Sequence, residues 1–220
     1  MYDRHESPRL NEAFKGYQGQ DPQYAKFIFF GLDANFVGDI HENPRFTEVF
    51  EEVIDYLNDG VAYWQNNIRH HPFLSNAYKN ESGYKYHYRF SKLGLTQEFA
   101  DRVSFVELLH CPTYGNTHLP RLIELLVEED NENYLREIDN VLFSANREKS
   151  VYIARGVYPK LYKIAKSFQC FTCLPKPQKF QRNRMYTISD CGNLKIYIIT
   201  HFSDAISDAH LAEIRRTIQG

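Results

Sequence analysis

The chain lacks a strong charge of either sign. Its 26 Lys and Arg against 28 Asp and Glu leave a formal net charge of −2 over 220 residues. That excludes a globally basic nucleic-acid binder but not a local basic patch, because net charge says nothing of distribution. Long apolar runs are missing too, and none approaches the roughly 20 residues that span a bilayer. The opening MYDRHESPRL holds no signal-peptide apolar region. A cytoplasmic location and no membrane partner are expected. Cysteine is scarce: Cys111, Cys170, Cys173 and Cys191, which should be reduced thiols in that compartment. Cys170-x-x-Cys173 has no second close pair, although Cys191 follows, so ordinary thiols are favoured over a structural metal. His70, His71 and His87 share no ligand spacing, and neither metal nor cofactor is expected. The chain also has no internal repeat, no low-complexity run, no G-x-S-x-G elbow and no P-loop glycine pattern.

What is present organises around Lys26–Phe36, KFIFFGLDANF. Phe27, Ile28, Phe29 and Phe30 read as a strand buried on both faces. Gly31 ends it, and Asp33 and Asn35 lie just past its carboxyl end. Three more apolar runs follow: Val103–Leu109, Lys149–Ala154 and Leu194–Thr200. Between them, helical spacing appears over Pro44–Asn58, Tyr84–Leu93, Leu119–Val127, Asn133–Ser144, Gly156–Phe168 and Ser207–Gln219. Asn58-Asp59-Gly60 closes the first of these. Cys170–Leu174 and Met185–Ser189 look like short strands around a basic loop. Strands alternating with helices predict one three-layer α/β/α domain with a central, mostly parallel four-stranded sheet. Residues 1–23 read as an N-terminal helix and linker. Sixteen Tyr and sixteen Phe suit an aromatic core or a site that stacks on flat rings.

In an open parallel sheet, ligands bind outside the carboxyl ends of the strands. Those ends carry Asp33 and Asn35, then Glu107 with His110 and Thr113, then Arg155 and Gly156, and last His201 and Ser203. An acid, an imidazole, an amide and a hydroxyl in one cleft can position water, polarise a leaving group and read a ring edge. Blander roles stay open: Asp33 as an Asx-turn cap, His201 as a structural histidine, Glu107 as an ion-pair partner. Lys176, Lys179, Arg182 and Arg184, with Phe180 and Tyr186 among them, form either a phosphate-binding loop or a solvated hairpin tip.

The order of these motifs resembles the uracil-DNA glycosylase superfamily over roughly Lys26 to Gln219. Gly31-Leu32-Asp33-Ala34-Asn35-Phe36 is similar to its G-x-D-P or G-x-N-P motif, and His201-Phe202-Ser203 to its H-P-S motif. Ala34 and Phe202 stand where the family has proline, and Glu107 lies near the family's base-reading amide. The resemblance implies a DNA base glycosylase that needs no cofactor, acts on a damaged or deaminated base in DNA and works as a monomer. Asp33 would position the attacking water and His201 would stabilise the leaving base. Asn35, Phe36, Phe46, Glu107 and Ser203 would hold the flipped base, Phe46 being the best-spaced ring for stacking. Lys176, Lys179, Arg182 and Arg184 would meet the phosphates. A non-catalytic nucleic-acid or nucleotide binding module on the same fold is the alternative.

Overall fold

The computed structural model describes residues 1–143, 147–191 and 193–220. The side chains of Glu129, Phe143, Asp190 and Cys191 lie outside the described set, as does Ser144, the predicted end of one helix. The elements run β1 (Tyr2–Arg4), α1 (Pro8–Ala13), β2 (Tyr17–Gly19), β3 (Phe27–Phe30), β4 (Asn35–Phe36), α2 (Thr47–Asn58) and α3 (Gly60–Asn66). Next come α4 (Tyr84–Ser91), β5 (Val103–Val106), β6 (Thr113–Gly115), α5 (Leu119–Leu126), α6 (Glu129–Phe143) and β7 (Lys149–Ala154). The chain finishes with α7 (Tyr158–Phe168), β8 (Tyr186–Cys191), β9 (Leu194–Ile199) and α8 (Asp208–Gln219).

The fold is mixed α/β with two mixed sheets. The larger has six strands, not the expected four, in the order β2-β5-β3-β7-β9-β8. Its inner strands β5, β3, β7 and β9 are parallel and are the four apolar runs of the sequence. β2 and β8 add antiparallel edges. Neither edge strand announces itself: β2 is the three-residue YQG in a polar stretch, and β8 is broken by an irregularity between Thr187 and Ser189. The smaller sheet, β1-β6-β4, is built from strands of two or three residues.

Side chains alternate across β3 because successive Cβ atoms point to opposite faces. Ile28 and Phe30 join Val106, Ile153 and Ile198 against Leu122, Leu135 and Leu161 of α5, α6 and α7. Phe27 and Phe29 join Phe105, Tyr152 and Ile199 against Trp64, Phe90 and Ile214 of α3, α4 and α8. Each fully buried side chain of this kind contributes about 1.5–3 kcal/mol, so both faces of the inner sheet are strongly specified. Lys149 fixes the entry to β3. Its buried Nζ donates to the carbonyls of Pro22, Gln23 and Ala25 at 2.7, 3.0 and 2.9 Å.

Three local expectations need correction. The N-terminal stretch is strand, short helix and strand, because β1 and β2 take their order from distant partners, Gly115 and Val106 among them. α2 does end at Asn58 as expected, but Asp59, whose side chain accepts from Ala62 N–H at 2.9 Å, at once starts α3, a helix not expected from the sequence. Cys170–Leu174 is a turn rather than a strand, with Phe171 at φ +48° and Cys170, Phe171 and Leu174 buried.

Gly115 shows how tightly β1 is seated. It holds φ +84°, and a Cβ there would collide with the Met1 carbonyl. Gly115→Ala should therefore cost about 1–3 kcal/mol, the usual range for a strained backbone position. Urea unfolding measures the loss, and hydrogen exchange at Tyr2 and Arg4 should rise with it; unchanged exchange would contradict this account of β1.

Candidate functional site

The parallel strands all end on one edge, and the ladder runs a step beyond them. Gly31 N–H donates to Val106 O and Arg155 N–H to Ile199 O, each at 2.8 Å. A cavity of about 430 Å³ opens there, a volume in the range of small-molecule sites. Asp33, Asn35, Glu107, Arg155, His201 and Ser203 all line it, so the four strand ends do converge. Gln18, Phe73, Tyr86, His87 and Phe105 complete the inner wall, and Lys160 stands at its edge from α7.

Asp33 is clamped by the small sheet. Tyr2 O–H donates to its Oδ2 at 2.9 Å and Thr113 O–H to the same oxygen at 2.6 Å. Burial, reinforced by the neighbouring carboxylate, pushes the Tyr2 phenol up, so it stays a donor. With Oδ2 doubly held, Oδ1 is left to act on a ligand from a fixed position. Asn35 serves as a strut beside it. Its amide donates to Gly115 O at 3.0 Å and to Thr113 Oγ1 at 3.3 Å, which holds β6 in place.

The tautomer of His201 is set by its own loop. Ser203 N–H donates to Nδ1 at 3.1 Å, so the proton of the neutral ring sits on Nε2. Burial lowers the pKa of this imidazole, against the opposing pull of Asp204 and Asp33. The result is a neutral ring with one N–H donor on the cavity wall. Arg89 of α4 pins the loop by donating to the carbonyls of Phe202, at 3.0 Å, and Asp204. Ser203 itself is exposed, and its backbone does the orienting.

Glu107 is buried over Gly31, and its Oε2 has no hydrogen-bond partner. Burial drives its pKa well above the usual carboxylate value, and the nearby Asp33 charge pushes the same way. Burial thus favours the protonated form, which carries one O–H donor and one carbonyl acceptor side by side. That pair equals what an amide offers to a ring edge.

The stacking ring is not where spacing placed it. Phe46 lies 2 % exposed in a separate core with Val49, Phe50 and Val53, its ring 5.7 Å from Tyr78, and it does not line the cavity. The helical spacing that singled it out is the spacing of that core. Phe36 touches the cavity but packs edge-on against Phe73 at 5.4 Å. The better-placed ring is Tyr86, half-buried and 5.2 Å from the His201 ring. Its only sequence signal is the density of aromatics in YKYHYRF.

Lys176, Lys179, Arg182 and Arg184 are exposed and line no part of the cavity. Their loop is nonetheless anchored beside it: Asn183 N–H donates to Thr200 Oγ1 at 2.7 Å, and Ser207 N–H to Asn183 Oδ1 at 2.9 Å. Arg184 lies over the Tyr186 ring at 5.4 Å, and Phe180 packs between Tyr158 and Tyr186. The cations at the cavity itself are Arg155, 3.5 Å from Asp204, and Lys160.

His70, His71 and His87 are buried and engaged with one another and with Gln18. Among the described residues no group of three or more His, Cys, Asp or Glu is placed to hold a metal ion. No described helix is long and apolar enough to cross a membrane. Comparison of the chain with protein-family models, with curated proteins and with solved structures returned no match.

Proposed function

We propose that the chain is a DNA base glycosylase of the uracil-DNA glycosylase type on a three-layer α/β/α fold. The observation that carries this reading is that Asp33 and His201, from the ends of the first and last inner strands, line one cavity. Two further features support it: the buried Glu107 carboxyl at the same wall and the basic loop anchored beside β9.

The nucleotide is flipped out of the stack so that its base enters the cavity, beside the Tyr86 ring. His201 donates its Nε2–H to a carbonyl oxygen of the base. That bond strengthens as the C1′–N bond breaks and its electron pair leaves with the base, the situation in which a preoriented donor is most effective. Asp33 orients a water through Oδ1. As the water oxygen bonds to C1′, its proton passes to Asp33. Glu107 in its protonated form matches a ring N–H with its carbonyl and an exocyclic carbonyl oxygen of the base with its O–H. Lys176, Lys179, Arg182 and Arg184 meet the backbone phosphates.

The test is incubation with single- and double-stranded oligonucleotides carrying uracil, hypoxanthine, xanthine or mismatched thymine, followed by alkali. Strand scission at the modified position is expected for at least one of them. A second reading, a binding module without hydrolysis, is favoured by the static double clamp on Asp33 Oδ2. Binding with no scission on any substrate would select it.

A further inference from the structure

Gln18 lies on β2, outside every motif of the sequence, yet it reaches the cavity wall at only 6 % exposure. It sits opposite Phe105 in the antiparallel β2–β5 pair. Residues directly opposite share a face, and so do residues two apart on a strand. Gln18, Phe105 and Glu107 therefore point to the same side, where all three line the cavity.

The direction of the Gln18 amide follows from a chain of hydrogen bonds. Phe73 N–H donates to His71 Nδ1 at 3.1 Å, so Nδ1 carries no proton. The His71 proton is then on Nε2, which lies 2.9 Å from Gln18 Oε1. A ring N–H needs an oxygen there, so the amide cannot be turned around. Its NH2 is left without a partner among the described residues. His71 is itself immobilised, stacked on His87 at 3.6 Å with the planes 10° apart, and His87 is bonded to His70 at 3.1 Å. Three buried imidazoles thus hold one amide in one orientation. Among the described residues the Gln18 NH2 is not one of the fully buried, unpartnered atoms, so it is open to the cavity that Gln18 lines.

We propose that Gln18 is a specificity residue of this cavity: its NH2, aimed by His71 as a positioning residue, donates to a carbonyl oxygen on the edge of the bound ring. An amino group at that position would set donor against donor and be turned away. The inference rests on the base-excision reading of the cavity.

The experiment uses the full chain and measures single-turnover excision from a uracil oligonucleotide, with free uracil and free cytosine as competitors. The wild type should be inhibited by uracil at concentrations where cytosine has no effect. Gln18→Leu should lose about tenfold or more in excision and in inhibition by uracil, and its preference over cytosine should collapse. His71→Phe should lose part of that preference and should have no further effect in the Gln18→Leu background. The double variant removes the His71 Nε2–H that Gln18→Leu alone would leave bare, so it keeps the test open if that single variant fails to fold. Excision by the wild type with an unchanged uracil-to-cytosine ratio in Gln18→Leu, or in the double variant, overturns the role of Gln18 alone. No excision of any base by the wild type overturns both this inference and the glycosylase reading.

Discussion

Asp33→Asn is expected to lower single-turnover base excision by about a hundred- to ten-thousand-fold, the range for loss of a positioned acid–base group. The variant should still fold and bind DNA. Asparagine keeps a side-chain oxygen for Tyr2 and Thr113, which now donate to Asp33 Oδ2. The clamp therefore survives and only the charge is lost. That separates chemistry from architecture better than alanine, which would also strand two donors in a partly buried site. The paired measurements are excision under single-turnover conditions, affinity for the intact oligonucleotide and the thermal midpoint. Excision within a few-fold of wild type, with folding intact, would reduce Asp33 to the loop-capping role that many aspartates play after a strand.

The second large effect concerns Glu107 and pH. Its folded pKa is raised above the ordinary carboxylate value by burial and then by Asp33. Above that ordinary value the unfolded chain has released the proton while the native chain retains it. Stability from this group therefore falls as pH rises, by about 1.4 kcal/mol per unit, until the native acid ionises. The buried histidines act in the opposite sense. Burial pushes His70 down to about 3 and also lowers His71, His87 and His201. As pH drops below their usual value of 6.5, the unfolded chain takes up protons that the native chain refuses, and stability is lost again. Maximum stability is thus expected close to pH 6.5. Glu107→Gln removes the alkaline slope, so its stability relative to the wild type should increase as pH rises above the ordinary carboxylate range. It should also retain excision, since an amide supplies the same donor and acceptor, whereas Glu107→Leu should lose it. Urea titrations from pH 5 to 9 decide the matter. A Glu107→Gln variant as pH-sensitive above neutrality as the wild type would mean that Glu107 is ionised in the fold.

The legible part of this molecule is the part made by local apolar runs. The four inner strands and the residues at their ends could be read from the chain because each strand is a short hydrophobic burst followed by polar residues. The rest depends on pairing over long sequence separations. Tyr2 reaches Asp33, Thr113 does so across a different interval, and Gln18 reaches the cavity only because β2 docks on β5. No periodicity marks a three-residue strand. Phe46 failed for the opposite reason: its helical spacing was genuine, but it belonged to a separate core. The raised pKa of Glu107 was equally hidden, since it follows from burial and a neighbouring charge rather than from residue type.

The small sheet has a further consequence, for the order of assembly. β1 pairs with β6 across more than a hundred residues, while β3, with Asp33 just beyond it, lies between them in the chain. During synthesis β1 emerges long before its partner and must wait as an unpaired edge, a known hazard for aggregation. The inner parallel sheet can begin to form without it. Because β6 precedes β7 and β9 in the chain, the β1–β6 pair and its clamp on Asp33 can close before the last two inner strands have been made.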